Sequence, residues 1–275
     1  MVAPAKRFME RNAHGVVRMN MRFWPGVLFV AALLPHLHGA VPPLLEGALG
    51  KVTADYDHWA YTQTTIEKNE KGKVLKQATV RFDPSKPYAE QFTPLEVDGQ
   101  PPTAGDFKKY RRQGEKRGDR IAEAETEGTT PPRKTLGELM DLEHARMIND
   151  SGDEVTFEVP LKKEGNNRLP PEKFQVLAHV SKQSGAFESI VAQLRSPLRA
   201  EVIVKIKSGV GRLEFATIDP RYAPALAAIS GSGAGSIMFV PVGRSYELKR
   251  SDYQRVKPFS NKFQVKMGPL KSLDF

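Results

Sequence analysis

Residues 155–161 read Val-Thr-Phe-Glu-Val-Pro-Leu, and this stretch decides the fold. Val155, Phe157, Val159 and Leu161 alternate with Thr156, Glu158 and Pro160, which is the two-residue period of a strand with one apolar face. Phe174, Val176, Ala178 and Val180 repeat the pattern. Val202, Val204 and Ile206 repeat it around Ile203, Lys205 and Lys207, and Leu213 and Phe215 sit opposite Arg212 and Glu214. Working outward, Met238–Leu248 reads as strand again, after a glycine-rich stretch, Gly231–Ser236, that reads as a flexible loop.

Toward the N-terminus, His58–Thr65 is aromatic and threonine-rich. Glu70-Lys71-Gly72 is a turn, and Val74–Phe82 alternates again, so the two runs predict a β-hairpin. Tyr88–Val97 reads as a further strand. Three short helices are expected. The first covers Pro42–Val52, where Leu44, Leu45, Ala48, Leu49 and Val52 recur at helical spacing. The second runs from Ala104 to about Arg117, opened by a capping box of Thr103 and Asp106. The third is a turn over Thr135–Met140. Gly118–Pro132 reads as a loop. Nine to eleven strands with so few helices predict a mainly β protein with an antiparallel sheet, since three short helices cannot cover both faces of a parallel one.

The chain has 275 residues, 40% hydrophobic and 27% charged, the composition of a globular protein, and a single β-rich domain of that length is ordinary. Its first forty residues read as a signal peptide. Lys6, Arg7, Arg11, Arg18 and Arg22 form a basic n-region, Val27–Leu34 is an apolar run too short to span a bilayer, and Gly39–Ala40 offers a cleavage site. The expected mature domain is therefore 41–275, exported to the periplasm and soluble. Cysteine is absent, so disulfides, thiolate chemistry and a thiol-linked lipid anchor are excluded.

Residues 1–40 hold five of the 41 Lys/Arg and one of the 32 Asp/Glu, so cleavage lowers the net charge from +9 to +5. The segment Lys108–Arg120, with seven basic and two acidic residues, accounts for all of that excess. A basic pI concentrated in one patch with a single aromatic, Tyr110, does not point to nucleic acid. Lys108, Lys109, Arg111, Arg112, Lys116 and Arg117 are the candidate contact with an anionic membrane surface or an acidic partner, against the plainer reading of a solvated helix face.

Catalytic signals are missing. His58, His144 and His179 stand apart in sequence, no G-x-S-x-G occurs, and Gly231–Gly235 lacks the Lys-Ser/Thr of a phosphate-binding loop. The reading is a non-enzymatic protein with no metal site and no cofactor. The apolar strand face serves either as a filled core or, if the sheet curves without closing, as a groove for an acyl chain. Both want the same residues. The candidate groove consists of Val155, Phe157, Val159, Leu161, Val202, Val204 and Ile206.

One resemblance adds to this. In order come a signal peptide, an N-terminal helix, Trp59-Ala60-Tyr61-Thr62, Arg81-Phe82-Asp83-Pro84-Ser85, Phe92-Thr93-Pro94-Leu95 and Asp98-Gly99-Gln100-Pro101-Pro102-Thr103. Asp252-Tyr253, Val256-Lys257-Pro258 and Phe263 follow near the end. This order is similar to that of bacterial periplasmic proteins placed near the LolA/LolB lipoprotein-carrier superfamily. The resemblance implies an open antiparallel half-barrel with helices plugging its concave side, and the carriage of a lipid acyl chain or lipidated protein. The likeness lies in turn and strand signatures and carries over no functional residue. The rival expectation is an interaction protein with a packed core and a basic docking helix; an unrecognised hydrolase is the third.

Overall fold

The period-two runs form strands, and one sheet takes all of them. The structure is a computed structural model describing residues 41–54, 56–128, 136–163, 170–201, 204–237 and 240–259. The expected signal peptide, 1–40, lies outside the described residues, and so does Val202 of the candidate groove. Helix α1 (Pro43–Ala54) leads into the hairpin β1 (Trp59–Asn69) and β2 (Val74–Phe82), turned at Gly72 with a φ of 78°. Then come β3 (Phe92–Val97), α2 (Ala104–Thr126), α3 (Leu136–Leu139), β4 (Arg146–Ser151) and β5 (Glu154–Glu158). The chain ends in β6 (Phe174–Ser181), β7 (Ala186–Leu194), β8 (Leu198–Glu201), β9 (Val204–Ala216), β10 (Ala225–Ile237) and β11 (Val240–Arg255).

The strands pair antiparallel in the order β3-β2-β1-β11-β10-β9-β7-β6-β5-β4, with β8 beside β9. The described residues are thus mainly β, one open antiparallel sheet of 11 strands with three helices. Among the described residues no further strand pairs with β3 or β4 at the two ends of the sheet. At one, β3 carries Pro94, which has no N–H to donate, and packs against α2. At the other, β4 is exposed along its whole length, with Met147 59% and Ile148 51% exposed beside a register shift between Met147 and Asn149.

Sequence and structure part at three elements. Tyr88–Val97 is not one strand: a 3-10 turn at Tyr88–Glu90 precedes β3. Gly231–Ser236 is not a loop but lies inside β10, hydrogen-bonded on both sides, with Gly231 opposite Gly211 and Gly233 opposite Gly209. A Cβ at Gly235 would overlap the Lys205 carbonyl oxygen beside a register shift, so close backbone approach requires the glycine there. The third difference is α2, which has 23 residues and runs to Thr126 rather than ending near Arg117. Its capping box is present as expected: Asp106 N–H donates to Thr103 Oγ1 at 3.3 Å, and Thr103 N–H donates to Asp106 Oδ2 at 2.9 Å. The Thr103 hydroxyl also donates to Asp106 Oδ2 at 2.6 Å, and the hydroxyl and backbone N–H of Thr103 together hold the Asp106 carboxyl below the usual range. Gly114 and Gly118 do not break the helix, because they face the Tyr88 turn. A Cβ at Gly114 would overlap the Tyr88 carbonyl oxygen, and one at Gly118 would lie 2.6 Å from Tyr88 Cδ2.

Two clusters fill the helix-bearing face. Under α1, Leu45 and Ala48 bury fully against Val155, Phe157, Val159, Val176, Ala178 and Val180. Near α2 the cluster is aromatic: Trp59, Tyr61 and Phe82 are buried, with Phe92, Tyr222 and Tyr253 packed on them.

Candidate functional site

Of the candidate groove residues, Val155, Phe157, Val159 and Leu161 belong to the packed cluster beneath α1. Val155, Phe157 and Val159 are 4%, 3% and 0% exposed beneath α1, and Leu161 packs against the same cluster just beyond the end of β5. Ile206 is half-buried in β9, opposite Leu198 and Gly235. Val204 opens β9, and Val202 lies outside the described residues.

Space exists instead between the two clusters. A cavity of about 170 Å³ is bounded by Val52 of α1 and Leu136 of α3, by Leu213 and Phe215 of β9, and by Leu226 of β10. Trp59 and Tyr61 of β1 and Arg250 and Tyr253 of β11 close the other side. Topology makes the cavity: β1 and β11 are neighbours although nearly 190 residues separate Tyr61 from Arg250.

The aromatic wall is fixed by edge and face contacts. Trp59 meets Tyr222 and Tyr253 edge-on with centroids 5.9 and 6.1 Å apart, and Tyr61 lies 5.1 Å from Phe82. Asp219 accepts from the backbone N–H and the side chain of Arg221, which pushes its carboxyl down to about 2 and fixes the turn before Tyr222. Tyr253 donates its hydroxyl to the Leu226 carbonyl at 2.7 Å, and burial pushes that phenol up to about 12.

Arginines sit over these rings. The Arg250 guanidinium lies 4.1 Å above the Tyr61 ring, and that of Arg255 lies 4.1 Å from the Tyr222 ring and 5.2 Å from the Trp59 ring. The negative ring face attracts each cation, so charge stays beside an apolar wall at small cost. Arg250 Nε also donates to Gln63 Oε1 at 3.4 Å. Trp59, 5% exposed, has an indole Nε1–H with no acceptor among the described residues.

Helix α2 divides the six candidate contact residues. Lys108, Lys109, Arg111, Arg112 and Lys116 are exposed. Arg117 turns inward, donating to Asp57 Oδ1 at 2.9 Å and to Gln91 Oε1 at 2.8 Å, and lies 5.7 and 5.8 Å from the Phe82 and Tyr88 rings. Gln91, itself buried, donates onward to the Lys86 and Pro84 carbonyls. Arg117 therefore anchors the helix rather than adding to its outer charge.

The histidines are less isolated than their spacing suggests. His144 Nδ1 lies 2.9 Å from Asp141 Oδ2, and His179 Nδ1 lies 2.9 Å from Glu154 Oε1 and 3.3 Å from Thr156 Oγ1. The Asp141 carboxylate raises the His144 pKa, and the hydrogen bond to His179 lowers that of Glu154. Among the described residues no group of three or more His, Asp or Glu is placed to hold a metal ion, and no helix is long and apolar enough to cross a membrane.

No protein-family model matches the chain, and neither a curated protein nor a solved structure matches it at a significant level.

Proposed function

We propose that the protein is an exported, periplasmic, non-enzymatic carrier for a hydrophobic ligand, a lipid acyl chain or the acyl part of a lipoprotein. The ligand would lie between the helices and the inner face of a half-barrel related to the LolA/LolB carriers. The observation that carries this reading is the apolar cavity roofed by Val52 and Leu136 and walled by the aromatic cluster. Its size is informative, because an apolar void of about 150 Å³ holds one benzene ring. About 170 Å³ therefore takes a group of that size, and a longer chain requires α1 or α3 to move aside.

A fluorescent fatty acid should bind with about micromolar affinity, about −8 kcal/mol, and protein purified from a periplasmic extract should carry copurified lipid in native mass spectrometry. Absence of both defeats the carrier reading.

The five outward cations of α2 favour a second reading, in which that face docks on an acidic partner or an anionic membrane. Replacing Lys108, Lys109, Arg111 and Arg112 by Gln should then abolish retention on anionic vesicles at low salt. Equal retention of parent and variant removes this reading.

A further inference from the structure

We propose that the first half of α2 is a membrane foot, in which Lys108, Lys109, Arg111, Arg112 and Lys116 meet anionic phospholipid headgroups and the Phe107 ring enters the acyl boundary beside them. This rests on the second reading above; it commits that face to one partner and adds an apolar anchor.

The charges of α2 are laid out against the helix itself. Residues 108–116 hold five basic residues and one acidic, whereas 118–127 hold four acidic and one basic. A helix carries partial positive charge at its N-terminus and partial negative charge at its C-terminus, so its own stability favours the reverse order. Asp106 in the first turn complies, but the last turn has no basic residue. Neighbouring side chains do not offset the cost. Arg117, Arg146, Arg212 and Arg244 each form an ion pair with a carboxylate, but among the described residues none of the five outward cations does. What the arrangement produces is a positive potential outside the molecule, to which the helix N-terminus adds its share. Departures from a local rule with no local return are expected at functional sites.

Two observations select a bilayer over an acidic protein. At about 100° per residue the five cations spread over about 160° of the helix circumference and about 13 Å of its length, which suits a diffuse sheet of charge. Beside them, one turn before Arg111, Phe107 is 49% exposed, while Tyr110, Gly114 and Gly118 form the buried face. Hydrocarbon accepts such a ring without a shaped pocket. Basic residues flanking an apolar side chain are the pattern of helices that bind at the bilayer interface.

The chain has no cysteine, so Phe107→Cys carries an environment-sensitive dye at one site, and Glu123→Cys carries it on the exposed acidic half. On vesicles of phosphatidylglycerol and phosphatidylcholine at low salt, the dye at 107 should brighten and shift to the blue, while that at 123 stays in water. Phosphatidylcholine alone should change neither. Unlabelled Phe107→Ala should partition about tenfold less, the scale of burying one aromatic side chain. That factor should be the same at about 0.01 M and about 0.15 M salt. Arg111→Gln combined with Arg112→Gln should cost about 25-fold at low salt, at about fivefold per cation, and this factor should shrink at the higher salt. Circular dichroism verifies that each variant is folded. Polyglutamate supplies acidic side chains without a bilayer. A dye at 107 that responds to polyglutamate as it does to vesicles, or that stays in water on bound vesicles, overturns the membrane foot but not docking by this face. Equal responses at 107 and 123, or a Phe107→Ala factor near one, overturn it likewise. Equal partition of the parent and the double-Gln variant overturns both the foot and the reading on which it rests.

Discussion

The two clusters on the helix-bearing face are built on opposite plans. Under α1, the cluster of β5, β6 and β7 is mostly aliphatic with Phe157 and Phe187 set into it, and its buried members include no ionisable group. Around Trp59 and Phe82, rings meet edge-on or tilted, and Arg117, Arg250 and Arg255 lie on them. Branched aliphatics interdigitate and leave no room. Rings are rigid plates that leave gaps at their corners, and their faces accept cations. The first plan serves stability; the second trades some packing for a cavity with charge at its wall.

Truncation separates the plans most sharply. Phe157→Ala in the aliphatic cluster should cost about 3–5 kcal/mol, the range for a buried Phe that leaves a cavity. Urea denaturation measures it, and a loss under about 1 kcal/mol would mean that α1 covers the strands only loosely.

Next in size is the attachment of α2 to the aromatic side. Glycine to alanine within a helix normally stabilises by about 1 kcal/mol. At Gly114 the added methyl meets the Tyr88 carbonyl, so Gly114→Ala should instead destabilise by about 1–3 kcal/mol. A neutral or stabilising result would show that the helix does not sit tightly on the Tyr88 turn.

The smallest effect belongs to the ring wall itself. Tyr253→Phe removes one hydrogen bond to Leu226 and should cost about 1 kcal/mol near neutral pH. It should also change the alkaline limb. In the unfolded chain this phenol ionises near its ordinary 10, whereas in the fold burial holds it neutral to about 12. The stability it confers is complete below pH 10 and is lost as pH rises toward 12. The parent Tm should therefore fall more steeply than that of Tyr253→Phe between pH 10 and 12. Tyr88 and Tyr110, also raised by burial, leave a shallower slope in both proteins. Parallel slopes would mean that the Tyr253 hydroxyl is open to water.

Alternation made the sheet legible. The hairpin from Trp59 to Phe82, the faces of β5 and β6, and the capped start of α2 all follow from local periods and a local hydrogen-bond pattern. Glycine misled twice, at Gly118 and in 231–236, because a residue that lowers propensity also permits close approach, and only the neighbour reveals which use applies. That neighbour is Tyr88 in one case and the β9 backbone in the other. The cavity was hidden for a similar reason. Its walls run from Val52 to Tyr253 and meet only through the pairing of β1 with β11. The aromatic alternation of Trp59 and Tyr61 was the one available hint. His179 and Glu154, 25 residues apart, meet only through the β5–β6 pairing.

The unequal ends of the sheet bear on how copies of the chain can associate. Endless stacking by strand addition needs two receptive borders, one to offer and one to accept. Here Pro94 and the adjoining α2 blunt the β3 border, the short β8 forms a further border beside β9, and β4 is the border that exposes Met147 and Ile148. Among the described residues, strand addition through this border would set β4 against β4. That contact has two-fold symmetry and uses up the receptive border of both partners. Association by that contact would be self-limiting at two and would not propagate into a filament.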